Sequence, residues 1–314
     1  MKNFFILILL LAFSWSCKKD DGGSVVDVLP AQTLSETAIE DDAELREYLG
    51  THFYNYEEFE SPPEGFDYKI KFDTIAGDNA NKTPMLDQVD TEKISVASSD
   101  FGRDDDEVVE HNLYYLIARE GVGGESPTIG DYSVLHYEGT LLNGLVFDAS
   151  TNVEARLYLS NTIRGYGNGV EHLKTGVGPF ENGDGTVSFD DYGVGAIFIP
   201  SGLAYFDRAP SGSPISSYTP LVFKIDLLSF EPNTDFDGDG IPSIMEDLDG
   251  DGNLNNDNTD QDTESIFLPN HNDADDDADG TLTIDEINID EFGNITFPDT
   301  DNDGTPDYLD KDNS

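Results

Sequence analysis

Runs of apolar residues, some continuous and some alternating with polar residues, recur through the middle of the chain and predict β-strands. These runs cover residues 113–117, 132–137, 155–159, 196–199 and 221–230. A short helical pattern, residues 170–174, lies between Gly169 and Gly176. Several strands and one short helix predict an α+β domain, with an antiparallel sheet around one short helix and a single core.

A helical pattern precedes these strands. A helix from about residue 38 to residue 49 is predicted by a face at helical spacing, formed by Leu45, Tyr48, Leu49 and His52. Thr37 and Glu40 are spaced as a capping box for its first turn. The surrounding residues carry no motif with catalytic spacing, so residues 35–105 are interpreted as an N-terminal accessory region.

The first apolar run, residues 4–13, follows Lys2 and is too short to cross a bilayer, which takes about 20 residues. It is typical of a secretory signal peptide, predicted here as residues 1–16. Cys17, the only cysteine of the chain, comes directly after this segment and resembles the lipidated cysteine of a lipobox. Trp15 is unusual in a lipobox, and a plain signal peptide followed by secretion is the alternative.

The residues after Cys17 extend this interpretation. Lys18-Lys19-Asp20-Asp21 resembles the lysine-acidic export signal of Bacteroidetes lipoproteins. The resemblance implies an outer-membrane lipoprotein that is exposed at the cell surface. The membrane would be reached through a lipid anchor with several acyl chains, which gives stable attachment. Residues 17–34 are polar and contain glycine, and are predicted to be the lipidated tether.

The charge balance excludes one class of partner. The chain has 65 acidic and 16 basic residues and a formal net charge of −49. Nucleic-acid binding needs Lys and Arg to displace the counterions of phosphates, so nucleic acid is not expected as a partner. The balance fits an extracellular protein that divalent cations neutralise. Residues 235–314 alone hold 26 acidic residues and one basic residue, Lys311.

The acidic residues after Pro232 are spaced as in EF-hand-type calcium loops. Four loops follow in chain order, with carboxylates at positions 1, 3 and 5 in each and at position 12 in all but the second. The first loop has Asp235, Asp237, Asp239 and Glu246, and the second has Asp247, Asp249 and Asp251. The third has Asp275, Asp277, Asp279 and Glu286, and the fourth has Asp299, Asp301, Asp303 and Asp310. A glycine at position 6 permits the sharp turn, and hard oxygen ligands in this number suit Ca²⁺ better than Mg²⁺. We therefore predict that structural Ca²⁺ orders residues 233–314. A solvated acidic tail is the alternative.

These loops differ in what they resemble. The run that starts at Asp299 resembles bacterial thrombospondin type 3-like repeats, whereas the loops that start at Asp235 and Asp275 look closer to EF-hand or dockerin loops. We expect a loop-rich C-terminal module with a thin apolar core.

A series of short motifs follows in order between residues 113 and 230. These are Gly130-Asp131, His136-Tyr137, Gly139-Thr140-Leu141, Phe147-Asp148, Ile163-Arg164-Gly165-Tyr166, Gly169-Val170, Ile199-Pro200-Ser201-Gly202-Leu203-Ala204-Tyr205 and Leu221-Val222-Phe223. Together they resemble the FKBP-type peptidyl-prolyl cis-trans isomerases. The resemblance implies an FKBP-like fold for residues 106–232. It also implies a proline-binding pocket lined by Tyr137, Phe147, Asp148, Ile163, Tyr166, Tyr205, Ile215 and Phe223.

The resemblance implies a role for most of these residues. Tyr166 would be the floor of the pocket, where the family usually has Trp. Phe147 and Phe223 would be walls, and Tyr137 would hydrogen-bond to Asp148. The Ile163 backbone N–H and the Tyr205 hydroxyl would bind substrate carbonyls. Rotation about an X-Pro bond needs neither nucleophile nor metal, so no cofactor is expected for catalysis.

Three departures from the family pattern bear on activity. Phe206 replaces a glycine, Ser216-Ser217 stand where the family often has Pro-Pro, and residues 177–193 are an insertion with an Asn182–Gly185 turn sequence. His136 adjoins a pocket residue, but strand alternation predicts that it points to the other face of the sheet.

The leading interpretation is a peptidyl-prolyl cis-trans isomerase on a cell-surface lipoprotein, which assists the folding of exported proteins. Its substrates would be proline-containing polypeptides. The alternatives are a catalytically weak FKBP-like peptide-binding or chaperone module and a calcium-dependent adhesion protein.

Overall fold

A computed structural model describes residues 31–260 and 268–312. The predicted signal peptide 1–16, Cys17 and most of the tether 17–34 lie outside these residues. The helices are α1 (Leu34–Thr51), α2 (Tyr56–Glu60), α3 (Arg164–Val170) and α4 (Thr283–Glu286). None of the helices in the described ranges is long and apolar enough to cross a membrane.

The described strands belong to four antiparallel sheets. They are β1 (His52–Tyr54), β2 (Phe72–Thr74), β3 (Asp90–Ala97), β4 (Val108–Arg119), β5 (Tyr132–Leu141), β6 (Val146–Tyr158), β7 (Val177–Glu181), β8 (Val187–Asp190), β9 (Gly193–Ile199), β10 (Leu221–Glu231), β11 (Asn288–Ile289) and β12 (Ile295–Thr296). The main sheet has six strands in the order β3-β4-β9-β10-β5-β6. All neighbouring pairs in it are antiparallel, and its central strands are the predicted ones. The expected antiparallel sheet is confirmed.

The position of the short helix was predicted wrongly. The pattern indicated residues 170–174, but α3 spans Arg164–Val170, which contains three glycines. A Cβ at Gly165 would lie 2.5 Å from a methyl carbon of Ile199, and a Cβ at Gly169 would lie 2.5 Å from Ile197. Close packing on the sheet therefore requires glycine here and outweighs its low helix propensity.

Both faces of the main sheet are covered. On one face, α3 packs over Leu135, Ile197 and Ile225 in the larger core. On the other face, Leu45 and Leu49 of α1 pack in a second core that contains Leu116 and Phe198. The predicted boundary between residues 105 and 106 lies between β3 and β4, which are paired in this sheet. The N-terminal region therefore supplies both an edge strand of the sheet, β3, and the helix α1 that covers one of its faces.

The first helix begins earlier than predicted. It spans Leu34–Thr51, and its capping box is formed by Thr33 and Glu36. The predicted box at Thr37 and Glu40 is wrong, because Thr37 is buried one turn inside the helix and its hydroxyl donates to the Thr33 carbonyl.

One carboxylate attaches α1 to the sheet. Asp41 is 2% exposed and accepts hydrogen bonds from both the backbone N–H and the hydroxyl of Ser201, each at 2.7 Å. Ser201 lies two residues after the end of β9. The helix is therefore held to the segment that leads to Tyr205.

The acidic tail packs against the sheet domain and has a small core of its own. Ile241, Ile287 and Tyr308 are buried together within the tail. Leu254, by contrast, is fully buried in the larger core of the sheet domain. The ring of Phe236 stacks on Tyr158 at the end of β6, with 4.3 Å between the ring centroids.

Candidate functional site

An aromatic cavity of about 360 Å³ opens between the main sheet and α3. It is lined by Tyr137, Asp148, Leu157, Asn161, Thr162, Ile163, Tyr166, Tyr205 and Phe223. Six of the eight residues predicted for the pocket are among them. The other two, Phe147 and Ile215, belong to the same core but do not line the cavity.

Tyr166 lies at the base of the cavity and is 3% exposed. Its ring meets the ring of Phe223 edge to face, at 4.9 Å between centroids and 77° between planes. The ring of Tyr137 lies at 6.2 Å and 78°. Burial raises the pKa of Tyr166 well above its ordinary value, so the phenol is neutral. These edge-to-face contacts give the base of the cavity a fixed apolar shape.

Phe147 supports one wall from behind. Its ring packs edge to face on Phe223, at 5.4 Å and 85°. Gly139 lies directly opposite Phe223 in the pairing of β5 with β10. A Cβ at Gly139 would lie 2.7 Å from the Phe147 ring and 2.8 Å from the Phe223 ring, so a side chain at this position would displace the wall.

Polar groups lie at the mouth of the cavity. The Tyr137 hydroxyl donates a 2.8 Å hydrogen bond to Oδ2 of Asp148. Burial, followed by this bond, raises the pKa of Tyr137 to about 12, so the hydroxyl remains a donor at neutral pH. Tyr205 is half-buried, and burial also raises its pKa. Ile163 is the N-cap residue of α3 and has an extended backbone.

Three lining residues were missed by sequence reasoning. Leu157 lies in the predicted strand 155–159, and the alternation of that strand is the signal that could have marked it as inward-facing. Asn161 and Thr162 directly precede Ile163, and no spacing signal marks them.

Phe206 occupies a backbone conformation that favours glycine. Its φ is +48°, in the left-handed region. The side chain is 1% exposed and packs on Phe101, with 4.6 Å between ring centroids, and on Tyr218 at 5.1 Å. The guanidinium of Arg103 lies 4.6 Å from the centre of its ring. Phe206 thus fastens the segment before β4 to the loop that carries Tyr205.

His136 is on the face of β5 opposite the aromatic cavity, as alternation predicted. Its Nδ1 lies 3.9 Å from Oδ2 of Asp226, the residue opposite it in the pairing of β5 with β10. The predicted insertion forms the hairpin of β7 and β8, and its turn is closed by a hydrogen bond from the Asn182 N–H to the Thr186 carbonyl.

The four predicted loops share one geometry. In each, the carboxylate at position 1 accepts a hydrogen bond from the glycine N–H at position 6, at 3.0 Å, 3.0 Å, 3.2 Å and 3.1 Å in chain order. These glycines have φ between 74° and 106°. In every loop, oxygens of the carboxylates at positions 1, 3 and 5 lie within 4.8 Å of one another.

The carboxylates of the loops fit a hard divalent cation. Within the described ranges, buried oxygens of Asp237, Asp275, Asp277 and Glu286 have no hydrogen-bond partner. Burial and neighbouring carboxylates raise the pKa of Asp237 and of Glu286 to about 7. A buried carboxylate without a partner is costly, and a cation coordinated by oxygen removes that cost.

The closing residues differ from the prediction in part. Glu246 lies with Asp239 and with Asp276, a carboxylate that sequence reasoning missed. Asp257, also missed, is 7% exposed and has an Oδ2 without a hydrogen-bond partner in the described ranges. Burial and the charges of the carboxylates of the second loop raise its pKa to about 6. Asp310 is not in the cluster of the fourth loop, and its charge acts on Asp277.

The loop from Asp247 to Gly252 contacts the helix that carries Tyr166. Nη2 of Arg164 donates to the backbone carbonyl of Asp251 at 3.0 Å and to its Oδ2 at 3.3 Å. The side-chain amide of Asn168 donates to the Gly252 carbonyl at 3.3 Å. The loop and the base of the cavity are therefore joined through α3.

No protein-family model matches this chain. The chain is 30% identical over 121 residues to the peptidyl-prolyl cis-trans isomerase Mip of Coxiella burnetii, a match that covers 38% of this chain and 45% of that protein. It is 31% identical over 119 residues to FK506-binding protein 1 of Dictyostelium discoideum, covering 37% of this chain and 94% of that protein. Among solved structures, FkpA from Escherichia coli aligns with 63% of this chain and 62% of that chain, at a TM-score of 0.34 and 23% identity.

The match to the Coxiella protein spans less than half of that protein's length. A match to a probable FKBP-type peptidyl-prolyl cis-trans isomerase of Neisseria meningitidis spans 37% of its length. The Dictyostelium protein, however, is matched almost throughout. Through this segment the chain belongs to the FKBP-type peptidyl-prolyl cis-trans isomerase family.

Proposed function

We propose that this protein is a peptidyl-prolyl cis-trans isomerase that acts on extended, proline-containing polypeptides. The observation that supports this most directly is the aromatic cavity closed at its base by Tyr166 and Phe223. A cavity of this size and apolar character accommodates a proline ring. Its polar groups stand at the mouth, where the backbone on either side of the ring would pass.

The reaction needs stabilisation of a twisted amide and no bond cleavage. Rotation about a peptide bond has a barrier of about 18–20 kcal/mol, because the twist breaks amide resonance. The twisted amide is less dipolar than the planar one, so a site that excludes water favours it. The Ile163 N–H and the Tyr205 hydroxyl would hold the carbonyls beside the proline. The Asp148 bond would orient the Tyr137 ring against the substrate.

The activity is tested on the full mature chain in calcium, with an X-Pro peptide followed by NMR exchange spectroscopy. We expect a rate above the uncatalysed exchange, which takes tens to hundreds of seconds. Tyr205→Phe should lower the rate while preserving the fold. Tyr115→Phe removes the hydroxyl of a tyrosine that does not line the cavity and is the matched control.

Two results would contradict the proposal. Exchange no faster than in buffer would exclude the enzyme, and retained peptide binding would then favour a binding or chaperone module. Equal rates for Tyr205→Phe and the wild type would exclude the role of the Tyr205 hydroxyl.

The proposed setting is the outer face of an outer membrane, with the protein attached through lipid on Cys17 and assisting the folding of exported proteins. Support comes from the apolar run 4–13, Cys17 and the lysine-acidic residues after it. Mass spectrometry of the N-terminal peptide tests this: a diacylglyceryl modification is expected, and an unmodified thiol would contradict it.

We also propose that Ca²⁺ stabilises the tail. Support comes from the buried carboxylate oxygens that find no partner in the described chain. The positive charge of the cation would compensate for the hydration that these carboxylates lose on burial. The chelation experiment in the Discussion tests this proposal.

A further inference from the structure

Three buried carboxylates from two different loops meet within the tail. Oxygens of Asp239, Glu246 and Asp276 lie within 4.8 Å of one another, and the three residues are only 1–2% exposed. Asp239 and Glu246 hold positions 5 and 12 of the first loop. Asp276 holds position 2 of the loop that begins at Asp275. Position 2 supplies no ligand in an EF-hand-type loop, so the spacing gives Asp276 no role in its own loop.

The side chain of Asp276 is unpartnered. Among the described residues, neither of its carboxylate oxygens has a hydrogen-bond partner. The same holds for both oxygens of Glu246 and for Oδ2 of Asp239. No salt bridge in the described ranges reaches any of the three residues. Asp276 is held by its backbone, whose N–H donates to the Thr283 hydroxyl at 3.2 Å.

The surroundings of this cluster are tightly packed. A Cβ at Gly240 would lie 2.4 Å from Cδ1 of Ile284, so the backbone of the first loop lies directly against α4. Ile241 and Tyr308 are buried close by, in the small core of the tail. Buried carboxylates without hydrogen bonds or counter-charges are strongly unfavourable, and a coordinated cation provides the compensation.

Asp239 belongs to two groups. Its carboxylate is also within 4.8 Å of Asp235 and Asp237, the other ligands of the first loop. The two groups together contain five carboxylates. One divalent cation would leave three negative charges uncompensated in a largely buried place, whereas two would leave one.

We propose that Asp239, Glu246 and Asp276 form a calcium site between the first loop and the third loop, which begins at Asp275. This site lies beside the site of the first loop and shares Asp239 with it. The inference rests on the proposed calcium binding of the tail. Carboxylate oxygens are the ligands that hard cations such as Ca²⁺ prefer. Because its ligands come from segments on both sides of residues 261–267, this ion fastens the two loops together. Its binding is therefore cooperative with the filling of each loop.

The test compares wild type, Asp276→Asn and Glu291→Gln as full mature chains. Asp276→Asn keeps the shape of the side chain and removes its charge. Glu291→Gln removes one carboxylate from the exposed turn between β11 and β12 and is the matched control. Native mass spectrometry counts calcium ions per folded chain at saturating CaCl₂, and equilibrium dialysis measures the affinities. A MgCl₂ arm tests the preference for the larger cation.

We expect Asp276→Asn to bind one calcium ion fewer than the wild type, with a lower Hill coefficient. Glu291→Gln should match the wild type in both measures. An unchanged count in Asp276→Asn overturns the inference, and so does the loss of two or more ions, since Asp276 would then support the loops without binding an ion of its own. If the wild type binds no calcium, the proposed calcium binding of the tail is itself wrong. This outcome differs from an unchanged count in Asp276→Asn, which contradicts only the site at Asp276. Charge-state distributions identify folded chains, so unfolded material is left out of the count.

Discussion

The aromatic cavity and the loops that start at Asp235 and Asp275 both bury polar or ionisable side chains, but the buried groups are compensated differently. In the cavity, the ring of Phe223 packs against the ring of Tyr166, at 4.9 Å between centroids, and against the ring of Phe147, at 5.4 Å. The loops that start at Asp235 and Asp275 bury carboxylate oxygens that lack hydrogen-bond partners in the described chain, among them oxygens of Asp237 and Asp277. The polypeptide alone therefore completes the cavity, whereas under the proposed calcium binding a cation would complete the loops.

The two sites are not independent, because they meet at α3. Arg164 binds the second loop, at Asp251, from the first turn of the helix, and Tyr166 lies two residues further along. Asn255 of the tail also donates to the Ser160 carbonyl at 2.8 Å, in the segment that leads to Ile163. Ordering of the loops should therefore affect the positions of the residues that line the cavity.

Removal of calcium is expected to have the largest effect. Each site filled at 100 times its dissociation constant stabilises the folded tail by about 2.7 kcal/mol, and chelation removes this from several sites together. Hydrogen exchange should show lost protection in residues 233–312, with β4, β5, β9 and β10 still protected. MgCl₂ in place of CaCl₂ is the control. If the tail kept its hydrogen-exchange protection in chelator, the loops would not depend on a cation, which would contradict the comparison with the cavity.

The second prediction concerns how far the tail belongs to the sheet domain. Leu254 is fully buried in the larger core, although it lies in the tail. Leu254→Ala should lower the free energy of unfolding by about 2–5 kcal/mol, as for other buried leucines. Leu248→Ala, at a site that is 45% exposed, is the matched control. Urea denaturation in saturating calcium measures both, and equal effects would show that the tail core is separate.

The sequence predicts the strands and the carboxylates at loop positions 1, 3 and 5 because each leaves a local pattern, whereas the pocket aromatics were predicted from the resemblance to a known family. Apolar runs, continuous or alternating, mark the strands, and spacing marks the carboxylates. The misses are residues whose role is fixed by distant neighbours. Asp276 acts on a loop that starts 41 positions earlier in the chain, and α3 is placed over glycines that only the sheet behind them explains. Such contacts arise from the tertiary fold, and no periodicity records them.

The third prediction is a pH dependence from Asp41, a buried carboxylate that the protein itself supplies with donors. Burial raises the pKa of Asp41 to about 7, against the lowering effect of its bonds from Ser201; the charges of Glu44 and Glu40 add to the rise. The folded state therefore holds this proton more tightly than the unfolded state. The resulting stability is fully present below about pH 4 and is lost as the pH rises to about 7.

Asp41→Asn should flatten this dependence. Between pH 5 and pH 8 the wild type should lose about 2–3 kcal/mol more stability than the variant. Urea denaturation at both pH values, in saturating calcium, measures the difference. Glu47→Gln, at an exposed position of the same helix, is the control and should follow the wild type. Parallel curves for wild type and Asp41→Asn would show that Asp41 is not the source.

The smallest effect is expected inside the cavity, at the one polar atom of Tyr166. Its hydroxyl is buried and has no hydrogen-bond partner among the described residues. Removing a buried, unpartnered hydroxyl removes a desolvation cost of about 1–3 kcal/mol, part of which the small cavity left behind offsets. Tyr166→Phe should therefore be as stable as the wild type or slightly more stable, and its isomerase rate should be unchanged. Tyr137→Phe is the matched comparison, because it loses a hydroxyl that donates to Asp148 and should cost about 1 kcal/mol. A marked loss of stability or rate in Tyr166→Phe would mean that this hydroxyl is used by the substrate, and that the cavity, like the loops, is completed only when its ligand is bound.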